Sequence, residues 1–386
     1  MGSDIFEITV NCIKLVLVFV MMVQAVPILV WLERRGSAFI QNRFGPNRVG
    51  PLGLMQLLAD AVKFLKKEDF APDRAVRSLF YAAPVFALIP ATLAYCAIPM
   101  ASPILVEAFE MFGQSWGPYT FRVQGYDMNV GIVFILGVSS LAAYTILMAG
   151  WGSGSKFSLL GALRASAQII SYELALGLSI VGVILLYGTF NLSEMINAQT
   201  GPLQFVAFGH TITGPWWFPN WGIFFQPLAF IIFFAATFAE SNRLPFDLAE
   251  GEAELVAGFH TEYGGFKMLM FFIGEYGHMM IAAGLVTTFF LGGYLIPGVT
   301  PEELHSWTAS ITSSEAGATG LAALIHFLMY NVKFGFLLWV FIWVRWTLPR
   351  FRYDQLMDLG WKTMLPWALG NTIATAVVIF ILQGWQ

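Results

Sequence analysis

ITVNCIKLVLVFVMMVQAVPILVWL, residues 8–32, decides the fold. The run carries a single charge, Lys14. About 20 apolar residues cross the hydrocarbon core of a bilayer as a helix, and in lipid a helix satisfies its own backbone hydrogen bonds. Composition extends the reading to the whole chain: 57% hydrophobic, 11% charged, mean hydropathy +0.69. An ordinary soluble domain carries roughly 25% charged residues. A globule of 386 residues could not be covered by so little polar side chain. The chain therefore reads as a polytopic membrane protein. Asp4 and Glu7 stand where a secretory leader would carry positive charge, so residues 8–32 are expected to be a retained span.

Seven further apolar runs predict spans over 78–98, 128–151, 166–187, 223–240, 265–291, 320–346 and 365–383. The expected fold is an all-α integral membrane protein, a single transmembrane domain over 1–386 built as a bundle of eight transmembrane helices. Lys and Arg divide unevenly between the connections. One side holds 17, nine of them in 33–77, and the other holds only Arg122. The positive-inside rule makes the rich side cytoplasmic. Both termini then face outside, as do the loops 99–127, 188–222 and 292–319.

Several function classes are excluded. Cys12 and Cys96 lie in apolar runs and form no framework or metal motif. The basic residues make no exposed block that could follow a nucleic-acid backbone. Five scattered histidines give no facing pairs for haem, and no GK[ST] phosphate loop is present. No bond chemistry or metal is expected of this chain itself.

Three features of the basic side carry the functional reading. GLMQLLADAVKFLKK (53–67) places Leu54, Leu57, Leu58, Ala61 and Leu65 on one helical face, with Gln56, Asp60, Lys63 and Lys67 opposite. At this length it lies on the cytoplasmic surface, as an anchor or as the lip of an opening for an amphiphile. The connection 241–264 holds Asp247, Glu250, Glu252, Glu254 and Glu262 beside Arg243, with Glu240 just before it. Inside the spans lie Lys14, Glu173, Glu275 and Lys333. Each costs roughly 2.5–3.5 kcal/mol at mid-membrane if unpaired, so they mark either Lys–Glu pairs or a proton route. Tyr172 and Tyr276, adjacent to the two acids, could extend such a route. A fourth stretch, Arg345–Lys362, mixes charges as a docking surface or a topology signal does.

ERRGSAFIQNRFGPNRVGP (33–51), the surface helix after it, and AESNRLPFDLAEGEAELVAGFHTEYGGFKMLMFFIGEY (239–276) resemble the two signatures of a known family. It is the quinone-site membrane subunit of respiratory complex I, the proton-translocating NADH:quinone oxidoreductase, with members in bacteria and in mitochondria. GALRASAQIISYELAL (161–176) and LPRFRYDQLMDLGWKTMLP (348–366) also match. The chain is longer than the family core, with the excess in the external loops.

The resemblance implies a quinone tunnel whose entrance and route involve Glu33, Arg34, Arg43, Asp60 and Lys63. It implies a proton path through Glu240, Arg243, Asp247, Glu250, Glu252, Glu254 and Glu262 to Glu275 and Glu173, with Arg164 nearby. Arg243 would pair with one acid and leave a net negative cluster. Quinone is then the substrate, and FMN and iron–sulfur clusters belong to partner subunits. The partners are the hydrophilic-arm quinone module on the cytoplasmic side, other membrane-arm subunits, and lipid. The location is the bacterial cytoplasmic (inner) membrane or its mitochondrial equivalent. Two alternatives remain at this point: a homologous subunit of a membrane-bound hydrogenase-type complex, and a stand-alone proton-coupled transporter.

Overall fold

The computed structural model describes residues 2–107, 109–111, 114–116, 118–207, 210–247, 258–312 and 314–383, with backbone alone at 2–7, 109–111, 114–116, 205–207, 210–212 and 383. Glu250, Glu252 and Glu254 lie outside the described residues. The helices, in chain order, are α1 Gly2–Ile40, α2 Gln56–Lys66, α3 Arg77–Cys96, α4 Gly131–Ser139, α5 Leu141–Gly152, α6 Lys156–Tyr187 and α7 Leu192–Ala198. They continue with α8 Gly222–Phe225, α9 Pro227–Glu240, α10 Gly265–Phe290, α11 Pro301–Ile311, α12 Glu315–Thr347, α13 Tyr353–Asp358 and α14 Leu365–Gln383. The chain is an all-α membrane protein with seven helical stretches long and apolar enough to cross a bilayer among the described residues.

Several boundaries differ from the sequence expectation, each for a local reason. The helix that begins the chain runs on to Ile40, so Glu33, Arg34 and Ser37 ride on it rather than in a loop. Residues 223–240 form α8 and α9, broken at Gln226 ahead of Pro227, which has no backbone N–H to continue a helix. At 14 residues α9 rises about 21 Å, short of the roughly 30 Å core. The loops expected outside carry, among the described residues, three two-stranded antiparallel sheets: β1 Ile104–Val106 with β4 Tyr119–Phe121, β2 Phe109–Met111 with β3 Gln114–Trp116, and β5 Gln204–Ala207 with β6 His210–Thr213.

The packing places α3 against α5 and α10, and α6 against α5, α9 and α14. Small residues let backbones meet, as membrane helices require. A Cβ on Gly150 would lie 2.3 Å from that of Ala162, and one on Gly161 would lie 2.7 Å from Gly258 Cα. The Gly161 contact seats the turn after the acidic loop on α6. The outer surface is apolar where a soluble protein would be charged: Leu328, Val332, Phe336 and Trp339 line one exposed stripe of α12.

Lys333 finds no acid within ion-pair distance among the described residues. Its ammonium donates to the carbonyls of Leu291 (2.7 Å), Gly293 (3.0 Å) and Leu295 (2.6 Å) just beyond α10, and lies 4.3 Å from the Trp221 ring. A cation at a helix C-terminus meets the negative end of its dipole. The charge is thereby accommodated without a partner carboxylate.

Candidate quinone and proton-coupling site

The residues after α9 explain the site. Asn242 adopts a left-handed conformation (φ 49°), Arg243 N–H donates to Phe238 O at 3.1 Å, and the Leu244–Pro245 bond is cis. Gln168, buried on α6, donates to Ala239 O (2.9 Å) and Phe246 O (2.6 Å), while Phe351 N–H donates to Pro245 O (3.1 Å). This turn thrusts Arg243 inward until it is 1% exposed.

Around Arg243 four elements converge. Its Nη1 meets Glu33 Oε2 of α1 at 2.8 Å, and its Nε lies 3.0 Å from Glu275 Oε1 of α10. The guanidinium stacks 4.1 Å from the Tyr276 ring, and Tyr276 OH donates to Glu33 Oε2 at 2.6 Å. Arg345 of α12 takes the other oxygen of Glu33. One layer out, Arg350 Nη2 pairs with Asp247 Oδ2 at 2.8 Å. Burial works against the charge on Arg243, but Glu275 and Glu33 outweigh it and hold the group protonated. Three carboxylates thus face three guanidiniums. Arg345 and Arg350 fold back onto these three acids, while Glu250, Glu252 and Glu254 of the expected net negative cluster lie outside the described residues.

Two cavities flank this cluster. The larger, about 520 Å³, lies between α1, α2 and α10. Its walls are apolar (Val23, Val26, Pro27, Val30, Leu57, Phe64, Leu269, Phe272, Ile273), and Glu33, Glu275, Tyr276 and Arg345 form its polar end. Arg34, Arg43 and Asp60 also line it. Arg34 Nη1 lies 2.6 Å from Asp60 Oδ2, and Gln56 and Lys63 reach Oδ1 at 3.0 and 3.3 Å. Partial burial raises the Asp60 pKa, but these donors, Arg34 first, outweigh it and leave the carboxyl below its ordinary range. Lys63 itself points largely to the exterior.

The smaller cavity, about 60 Å³, is lined by Glu240, Ser241, Asn242, His260, His278 and Glu275 among apolar neighbours. That is room for a few water molecules. Glu240 is close enough to Glu173 for their charges to interact. Burial lowers the pKa of His260, in the turn after the acidic loop, to about 3, so it is neutral at physiological pH. Glu275 is the residue shared by the described linings of both cavities.

The remaining expected residues sit apart. Arg164 stacks on Tyr353 (5.2 Å), and Glu262 is half-buried in the turn before α10. Tyr172 donates to Leu356 O at 2.8 Å and so anchors α13 rather than extending a chain from Glu173. Arg345, Arg350, His260 and His278 were not singled out for the site by sequence. The arginines had a sufficient explanation as topology charges, and the histidines had no spacing signal. The described residues hold no group of three or more His, Cys, Asp or Glu fit for a metal ion.

A family model described as NADH dehydrogenase matches residues 13–376. A NADH-quinone oxidoreductase subunit of Bdellovibrio bacteriovorus is 74% identical over 381 residues, 99% of each chain. A NADH-quinone oxidoreductase subunit of Koribacter versatilis is 42% identical over 383 residues, covering 98% of this chain and 99% of its own. A third such subunit, from Rickettsia prowazekii, is 40% identical over 375 residues, 97% and 95% of the two chains.

Proposed function

This chain belongs to the NADH dehydrogenase family as a membrane subunit of NADH:quinone oxidoreductase, and on that premise we propose that it holds the quinone and couples its reduction to proton movement. The single observation that carries the reading is the position of Glu275, which faces both an apolar cavity large enough for a quinone and a small chamber that holds Glu240, His260 and His278 among apolar neighbours. Ligand pockets of this size class are largely apolar with a few placed polar groups. The walls from Val23 to Ile273 suit an isoprenoid tail, and the Glu33–Arg345–Tyr276 end suits the ring carbonyls.

Electrons reach the quinone from partner subunits that carry FMN and iron–sulfur clusters. Negative charge arriving at the ring competes with Glu33 and Glu275 for Arg345 and Arg243. A carboxylate deprived of its guanidinium gains proton affinity, and Glu275 would then draw a proton from the chamber containing Glu240, His260 and His278. Glu173, beside Glu240, continues the path across the bundle, and the acids of 248–257 supply it from the cytoplasmic side. That side is assigned by the excess of Lys and Arg, in a bacterial inner membrane with both termini outside. The exposed pairs Arg352–Asp354 and Lys362–Asp358 offer a docking face for the hydrophilic arm.

The test is to fill the cavity. Ala61→Trp, in the assembled enzyme, is expected to lower NADH:quinone activity most for long-tailed quinones while NADH:ferricyanide activity, which samples the hydrophilic arm, is kept. Equal quinone rates in variant and parent would remove the cavity from the quinone route.

A further inference from the structure

One cation on the lysine- and arginine-rich side stands where neither topology nor helix electrostatics calls for it. Lys267 lies in the first turn of α10, at the positive end of that helix's dipole. A lysine that only sets orientation belongs in water or among headgroups, yet Lys267 is 6% exposed. Its ammonium donates to Phe70 O at 2.7 Å and pairs with Asp69 Oδ1 at 2.5 Å. The Phe80 and Tyr81 rings of α3 lie 4.5 and 4.6 Å from it, and Tyr81 OH donates to the other Asp69 oxygen at 3.4 Å. Together α10 and α3 grip residues 69 and 70.

The gripped residues continue directly from α2. A Cβ on Gly265, which opens α10, would lie 3.5 Å from Phe64 O and 3.7 Å from Glu68 O, so α10 begins against the end of α2. No residue of α2 is buried, and the large cavity undercuts it along Leu57, Asp60, Ala61 and Phe64. A helix with so little packing takes its position from the ties at its edges. Toward α1 those ties are exposed ones, Arg34 to Asp60 at 2.6 Å and Trp31 Nε1 to Leu52 O at 3.1 Å. At the far end the tie is the buried ammonium of Lys267. Charge-assisted bonds hold better out of water than at the surface, so this is the fixed end of α2.

We propose, resting on the quinone assignment of the large cavity, that Lys267 is a positioning residue for the quinone tail. By holding residues 69 and 70 it fixes how far α2 stands from α10, and so the bore between Ala61 and Phe64 on one wall and Leu269 and Phe272 on the other. Among the described residues Lys267 is not part of the cavity lining, so it acts through those side chains. A slack clamp widens the bore and costs the tail apolar contact. The polar end formed by Glu33, Tyr276 and Arg345 stays in place, so binding weakens while the turnover of bound quinone does not.

The assembled complex in liposomes, assayed with long-tailed and with short-chain quinones, provides the test. In Lys267→Met the KM for the long-tailed quinone is expected to rise about fivefold and that for the short-chain quinone to rise less. Both kcat and NADH:ferricyanide activity stay at the parent values. Lys267→Arg, whose cation fits between the same two rings, should restore the parent KM. Asp69→Asn alters only the exposed partner and keeps the bond to Phe70 O, so it gives a smaller rise in the same direction. Amide exchange over residues 56–70 should quicken in the same order, a readout that needs no quinone. Unchanged KM in assembled Lys267→Met would overturn the proposal, as would unchanged KM in Asp69→Asn where Lys267→Met does not assemble. A fall in kcat at constant KM would overturn it too. Ala61→Trp, measured alongside, separates the two assignments. Quinone activity lost there, with KM unchanged in the Lys267 and Asp69 variants, removes only the clamp; no loss in any variant removes the cavity from the quinone route.

Discussion

Two solutions to a charge inside the membrane stand side by side in this molecule. At one end Glu33 and Glu275 meet Arg243 and Arg345, and the assembly borders two cavities. Near the middle of α12, Lys333 is held by three carbonyls beyond α10 and a tryptophan ring. Both neutralise a costly charge, but only the first uses partners that can be traded. A guanidinium shared by two carboxylates can shift toward one or toward an incoming anion. Carbonyls at a helix end have no second state. The difference teaches that a buried charge points to function when its partners are themselves ionisable and open to a cavity, and to structure when they are backbone.

The largest consequence concerns Arg243. Arg243→Met leaves Glu33 and Glu275 without their shared counter-ion, at a cost of about 3–5 kcal/mol. Blue-native electrophoresis is expected to show little assembled complex. Normal assembly would mean that Arg345 alone balances the cluster.

Asp247→Asn loosens Arg350 and the turn that presents Arg243. NADH:quinone turnover is expected to fall about tenfold, the loss of roughly 1.4 kcal/mol, with NADH:ferricyanide activity retained. Full quinone activity in an assembled variant would sink the role of this turn.

Lys333→Met sharpens the contrast from the other side. Unpaired carbonyls cost about 1–3 kcal/mol, so the melting temperature should drop while quinone turnover per assembled complex stays at the parent value. A turnover loss matching that of Asp247→Asn would abolish the distinction between the two charge sites.

The smallest effect is expected at the cavity mouth. Asp60→Asn should raise the quinone KM a few-fold, the scale of a partly exposed ion pair, and leave kcat unchanged. Because the folded Asp60 pKa is lowered from 3.8, its pairing with Arg34 is fully present above that value and fades only as pH falls through the lower folded value. The parent KM should therefore show no Asp60-dependent rise between about pH 8 and pH 5. A rise there that Asp60→Asn removes would contradict the assignment.

The sequence made the membrane class legible because apolar run length is a one-dimensional quantity, and the family because two long signatures are intact. The relatives align through the loops that looked like added length, so that length is shared with them. What could not be read was which charges meet. Glu33 and Arg345 are 312 residues apart, and nothing local distinguishes an arginine that sets topology from one that folds inward. The break at Gln226–Pro227 was visible as a proline, yet the run around it is apolar enough to read as one span. Strands β2 (Phe-Glu-Met) and β4 (Tyr-Thr-Phe) do alternate, but over three residues each, shorter than the runs of about four to eight that announce a strand. His260 and His278 reach the small chamber through the turn after the acidic loop and through α10, a convergence no spacing encodes.

The most direct measurement is NADH oxidation by the assembled Glu275→Gln complex, with a short-chain quinone and then with ferricyanide. Glutamine keeps the shape and removes the charge and the proton-carrying group at the one described residue that lines both cavities. The account predicts loss of most quinone-linked turnover with the ferricyanide rate intact. Unchanged quinone reduction and unchanged proton translocation in the same preparation would contradict it.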